Sequence, residues 1–310
     1  MRRKAHAATD GVVMSLTSFI RNNQDVRERF RRQFRKPPAD TDMKLLAPPI
    51  SKRYNLVGTG FDYLLRFYLK CLNPQAVESP WVAEYCLSHP LSPLLDDVVV
   101  EANIGVVSYR ETELTKKASG IIEHAKAEYA SYLSSGRMTD DLMKSALALA
   151  QLDPIFRARF VDENIGMIED EDVEDLRKLL SIVPTEPFVA DQLCLLDPTF
   201  GEASRLVGGA DADLVIDDAL IDVKTTSKSD FQTPFFHQLM GYVLLHEIGG
   251  VGGLTPKPRI RRAGIYFARH AHLKLFDLDE VMDRNTLPEF IDWFTMRAAK
   301  EYPGAAPKPL

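Results

Sequence analysis

The residues of this chain whose types and spacing suit chemistry lie in one stretch, GGADADLVIDDALIDVKTT, residues 208–226. Asp211, Asp213, Asp217, Asp218 and Asp222 interrupt what otherwise reads as two apolar strands, and Lys224 follows two residues later. Asp tolerates left-handed backbone, so Asp217 and Asp218 suit the loop of a tight hairpin. Ile216 then pairs with Ala219, Leu214 with Ile221 and Ala212 with Val223, one wholly apolar face. The other face sets Val215 against Leu220, Asp213 against Asp222 and Asp211 against Lys224. Directly opposed carboxylates, with Cβ atoms about 4.5–5.5 Å apart, repel. Either one holds a proton or a hard divalent cation such as Mg²⁺ sits between them. Two metal-binding carboxylates beside an ammonium suit phosphodiester hydrolysis: the metal polarises the phosphate and acidifies a bound water, and the lysine orients that water or balances developing charge.

Periodicity predicts the elements that must hold these residues. After Pro184 the segments FVADQLCLL, ADADLVI, ALIDVKT, AGIYFAR and HLKLFDL read as strands. A helix, TPFFHQLMGYVLLHEI, interrupts them, with Thr233 as N-cap and Pro234 in its first position, and another, LPEFIDWFTMRAAKEY, closes the chain. Upstream, Phe61, Leu64, Leu65, Tyr68 and Leu72 share a face of a helix that ends before Pro74. Ser108 and Glu111 form a capping-box signature, Thr139 suits the cap of DDLMKSALALAQL, and Pro154 suits the first turn of PIFRARFV. The acidic start of EDEDVEDLRKLL complements a helix dipole and reads as a solvated face. The layout is α+β, in three segments: a basic arm and proline-rich connector at 1–53, a helical region at 54–184, and a strand-rich core at 185–310.

ADLVIDDALIDVK resembles the catalytic hairpin of the PD-(D/E)XK nuclease superfamily, and QLMGY, Gln238 to Tyr242, resembles the Q-x-x-x-Y motif of its RecB-type branch. RAGIYFARHAHLKLFDL fits the later hairpin of such nucleases, so the likeness covers residues 185–275. The resemblance implies a mixed sheet flanked by helices, with a large helical N-terminal or inserted region. It implies that Asp213 and Asp222 bind Mg²⁺ or Mn²⁺ with the Val223 carbonyl, that Lys224 assists the attacking water, and that Gln238 and Tyr242 face the site. Positions i and i+4 share a helix face, which independently allows that last point. The activity implied is that of a metal-dependent deoxyribonuclease acting in DNA repair or defence against foreign DNA, with DNA favoured over RNA as partner; exonuclease and endonuclease action stay open. D-x-K alone is weak, since Asp42-Met-Lys44 repeats it; the ordered combination carries the resemblance.

The sequence departs from the family pattern in two places. Ala210 stands where the branch usually has Gly three residues before its first catalytic Asp, which keeps Asp211 as a rival for the metal role. The upstream acidic residue is open among Asp62, Glu169, Glu171 and Glu174; with Asp62, residues 73–183 become an insertion. Two other readings fit the same residues: a catalytically silent module that binds nucleic acid or a partner, and a Mg²⁺-dependent phosphohydrolase of small molecules.

Composition bounds these readings. At 310 residues and 45% hydrophobic the chain can bury a sizeable core. Its longest apolar run, GYVLLHEIGGVGGL, is broken by His246 and Glu247, short of the roughly 18 residues a membrane span needs. GVVMSLTSFI lacks a small-residue cleavage site, so a cytoplasmic protein is expected. Cys71, Cys86 and Cys194 are scattered, which predicts neither a disulfide framework nor a cysteine-held metal. LVGG and GVGG do not lead a strand into a helix with Lys-Ser/Thr, so no nucleotide cofactor is expected. The net charge is −6, yet residues 1–53 hold 13 Lys and Arg against 5 Asp and Glu, about +8, which leaves about −14 for the rest. RERFRRQFRK has the composition of a phosphate-contacting arm or of a basic helix docked by Phe30 and Phe34. His237, His270 and His272 read as packing or turn residues.

Overall fold

Alternation along the strands divides this molecule into two apolar cores on opposite faces of one sheet. The computed structural model describes residues 15–38, 40, 43–87, 97–100, 107–110, 113–158 and 160–302; the basic run at 2–4 and Asp42 lie outside them. In chain order the elements are α1 (Leu16–Asn22), α2 (Gln24–Gln33), α3 (Tyr54–Leu72), β1 (Val77–Glu78), β2 (Asp97–Val100), β3 (Val107–Arg110), α4 (Glu113–Ser135), α5 (Asp140–Ala158) and α6 (Asp170–Ser181). There follow β4 (Cys194–Leu196), α7 (Glu202–Arg205), β5 (Leu214–Ile216), β6 (Ala219–Lys224), α8 (Thr233–Gly249), β7 (Arg262–Phe267), β8 (His272–Asp277), α9 (Leu278–Val281) and α10 (Leu287–Glu301).

The sheet runs in the order β1-β4-β5-β6-β7-β8. It is mixed: β1 with β4 and β6 with β7 are parallel, and the remaining pairs are antiparallel. Leu214, Ile216, Ala219, Ile221 and Val223 point into a core shared with α3, α4, α5 and α6. Ala212, Val215 and Leu220 point into a second, shared with α1, α2, α8 and α10. An α+β fold with a six-stranded mixed sheet flanked by helices is therefore observed. Side chains from all three sequence segments pack on this one sheet. Among the described residues no helix is long and apolar enough to cross a membrane.

Near its turn the hairpin has the expected register, Ile216 with Ala219, Val215 with Leu220 and Leu214 with Ile221; beyond it the expected pairings of Ala212 with Val223 and Asp213 with Asp222 do not form, and Ala212 and Val223 pack in opposite cores. Asp217 takes φ 51° in its turn and accepts from the backbone N–H groups of Gln192 and Leu193 at 2.8 and 3.1 Å. Asp218 is held by Arg261 and Arg262. Both loop aspartates are thus structural. Thr139 caps α5, its Oγ1 accepting from the Leu142 N–H at 3.1 Å.

Several sequence expectations are corrected. Ser108 opens no helix; it lies in β3, which pairs antiparallel with β2, and α4 starts only at Glu113. Pro154 sits inside α5 rather than starting a new helix. Gln232, not Thr233, takes the cap position of α8. The acidic face of α6 is not solvated at Asp172 and Asp175, which are wholly buried against Arg53 and Arg269. The basic α2 is docked through Val26 and Phe30, with Phe30 and Phe34 edge-on to Phe290 of α10. His237 packs between Phe30 and Phe236, while His270 and His272 flank a turn at Ala271.

Candidate active site

The β5–β6 ladder stops at Leu214 and Ile221, and the chain before it bends away. Asp213 therefore departs from strand geometry: its Oδ2 accepts the Val223 N–H at 2.6 Å, taking the place of a backbone carbonyl, while its own carbonyl accepts the Asp197 N–H at 2.9 Å. Asp222, from the central strand β6, is 1% exposed. Its Oδ2 lies 2.7 Å from Lys224 Nζ, yet neither carboxylate oxygen has an aligned hydrogen-bond donor. A buried carboxylate with open lone pairs is costly unless a cation or donor completes it.

Lys224 in turn donates to Gln238 Oε1 at 3.2 Å, and Gln238 Nε2 donates to the Tyr242 hydroxyl at 2.7 Å. The i, i+4 spacing on α8 aligns these two side chains toward the strand end. Gly241, inside the same motif, permits α1 to press on α8: a Cβ there would meet Leu16 Cδ2 at 2.8 Å. Tyr242 stacks on Phe200 with ring centroids 5.7 Å apart.

Burial and then the charge of Asp222 raise the Asp213 carboxyl well above its ordinary range, with Asp62 adding to the effect. Burial also raises Asp222, against the pull of Lys224. Lys224 is raised although burial alone opposes it, because Asp222 and Asp213 favour its charge. Asp62, from α3, is pushed up to about 7 by burial, against Arg66 and Lys224. Asp213 and Asp222 thus share the Lys224 ammonium, while Asp62 feels Arg66 first and Lys224 second. Of the four upstream candidates, Asp62 is the one that acts on Asp213. Glu169 instead starts α6 within 4.0 Å of Arg53, Glu174 pairs with Arg177, and Glu171 is exposed.

Asp211 does not meet Lys224. It forms a bridge with Thr199 and a two-pronged pair with Arg157, at 2.7 and 3.3 Å. The bend at Asp213 breaks the register that would have opposed Asp211 to Lys224.

Asp62, Asp213 and Val223 line a cavity of about 710 Å³ between the sheet and helices α3 and α5. Its wall holds residues that the sequence reading passed over. Arg66 pairs with Asp197 at 2.6 Å, and Asp153 accepts from the Tyr63 hydroxyl at 2.6 Å. Asp197 takes φ 56°, a left-handed conformation that costs about 1–3 kcal/mol in a non-glycine residue. The i, i+4 pairs Asp62–Arg66 and Asp153–Arg157 were the available signal for this polar wall.

Among the described residues no three His, Cys, Asp or Glu side chains converge as a ready metal cage. Mg²⁺ does not require one: it takes one or two carboxylates and fills its octahedron with water and substrate phosphate. Asp213, Asp222 and the neighbouring Val223 carbonyl fit that demand, and the buried Asp222 carboxylate, which meets the Lys224 ammonium but no aligned hydrogen-bond donor, is the observation in favour. No protein-family model, curated protein or solved structure matches this chain.

Proposed function

We propose that this chain is a divalent-metal-dependent deoxyribonuclease with a PD-(D/E)XK-type core, in which water attacks a DNA phosphodiester. The observation that carries the reading is the meeting of Asp213, Asp222 and Lys224 at one strand end, with Gln238 and Tyr242 bonded in series behind the lysine. Asp213, Asp222 and the Val223 carbonyl would hold Mg²⁺ or Mn²⁺. When bound, such an ion polarises the phosphoryl oxygen and lowers the pKa of coordinated water.

The chain's own residues do the rest. Gln238 fixes the Lys224 ammonium, and Tyr242 fixes the Gln238 amide so that its oxygen faces the lysine. A lysine so held orients the water and balances the charge that builds on the phosphate. Asp62 stands on the opposite wall, within electrostatic reach of both Asp213 and Lys224.

The test incubates the full chain with linear and circular, single- and double-stranded DNA in Mg²⁺ or Mn²⁺, beside Lys224→Ala. The expected outcome is metal-dependent cleavage that the substitution lowers by about a hundredfold or more. Identical products from both proteins would refute hydrolysis by this site, and turnover of nucleotides without cleavage of polymers would move the reading to a small-molecule phosphohydrolase.

A further inference from the structure

Exposed apolar side chains are ordinary when scattered singly and informative when they border one cavity. Tyr54, the first residue of α3, and Phe160, just past α5, are each 59% exposed, and both line the cavity that holds Asp62 and Asp213. Neither belongs to the apolar cores of the sheet. Lys52, Arg53 and Arg157 stand on the same wall. Arg53 and Arg157 are committed to Asp172 and Asp211, whereas Lys52 is exposed and has no ion pair among the described residues.

We infer that Tyr54 and Phe160 form a stacking contact for an unpaired base of a DNA strand at the cavity mouth, with Lys52 taking the adjoining phosphate. The inference rests on the hydrolytic reading of the site, which meets this cavity at Asp213 and Val223. A π face accepts any base, which gives grip without sequence choice, and a cation nearby supplies the backbone term. The cavity's volume is that of a site for a drug-sized ligand. A volume of that size holds a nucleotide or two, and an unpaired end is the form of DNA proposed to enter it. Lys52 stands two residues before Tyr54 in the chain, and Asp62 and Asp213 line the same cavity.

The experiment measures binding of a short fluorescein-labelled oligothymidylate, and of a blunt duplex of the same length, to the full chain in chelator, so that hydrolysis does not interfere. Native protein is expected to prefer the single strand. Tyr54→Ala and Phe160→Ala should each weaken single-strand binding by about tenfold and duplex binding by less than about twofold, while Tyr54→Phe and Phe160→Tyr keep it. Unchanged single-strand affinity in the alanine variants, equal losses on both probes, or no single-strand binding by native protein overturns the inference. A parallel cleavage assay in Mn²⁺ separates the two claims. Aromatic-dependent binding without cleavage leaves the stacking site standing and removes the nuclease; Lys224-dependent cleavage with unchanged alanine variants does the reverse.

Discussion

At the scale of single residues, the site is an imbalance of charge. Asp213 and Asp222 crowd one ammonium, that of Lys224, Asp62 is opposed first by Arg66, and burial leads the causes that raise each of the three carboxyls. Removing one anion should therefore stabilise the metal-free protein. In chelator, at a pH where native Asp213 would be ionised, Asp213→Asn is expected to melt at a higher temperature than native protein, because burial and Asp222 disfavour the charge that the substitution removes. Mn²⁺ at about a hundred times its Kd should add about 2.7 kcal/mol to native protein and nothing to the variant. Calorimetry in chelator and in Mn²⁺ reads both effects, and a variant that still responds to Mn²⁺ would remove Asp213 from the metal site. Asp222 and Lys224 were legible because period-two alternation puts them on one strand face, whereas Asp213 joins them through a bend before the ladder rather than by the direct opposition that alternation predicts. Asp197 and Arg66 were not: their pairing depends on a left-handed turn after β4 and on the angle at which α3 crosses the sheet.

At the scale of elements, the cavity wall is tied to the sheet by one buried cation. Arg269, 1% exposed, follows β7 and grips Asp175 of α6 at 2.7 and 3.1 Å. Its guanidinium also donates to the Ala47 carbonyl, and its own carbonyl accepts from Leu46 and Ala47. Asp175 accepts in addition from the Ile50 and Ser51 N–H groups, so the segment that delivers Lys52 and Tyr54 hangs on this pair. Arg269→Ala leaves Asp175 buried and unpaired and should cost about 3–5 kcal/mol, read as a lower midpoint in urea unfolding; an unchanged midpoint would contradict this tether. The sequence held a signal here. Asp172, Asp175, Leu176 and Leu179 fall at i, i+3, i+4 and i+7, which puts both acids on the apolar stripe, but an acidic run at a helix start reads first as a dipole effect. Ser108 misled for a related reason: a capping box is four residues of local chemistry, and the pairing of β3 with β2 outweighs it.

At the scale of the whole molecule, the proposed DNA substrate would have to be attracted to a chain of net charge −6 through a local patch. Residues 1–53 concentrate the positive charge, and within them α2 is a basic helix docked by its apolar residues, as one of the two readings of that run expects. Val26 and Phe30 face the core, and Phe34 just after the helix joins them. Arg31, Arg32 and Arg35 are exposed, and none has an ion pair among the described residues. Docking by the phenylalanines thus holds the arginines rigidly outward, where each can replace one counterion on a strand. Each phosphate contact contributes about 0.7 to the slope of log affinity against log salt for a single strand. Replacing Arg31, Arg32 and Arg35 together by Gln should lower that slope by about 2 and weaken binding most at low salt. Titrating a fluorescent oligothymidylate across a salt series in chelator measures the slope directly. An unchanged slope would mean that phosphate is met elsewhere, with Lys52 at the cavity rim as the next group to replace.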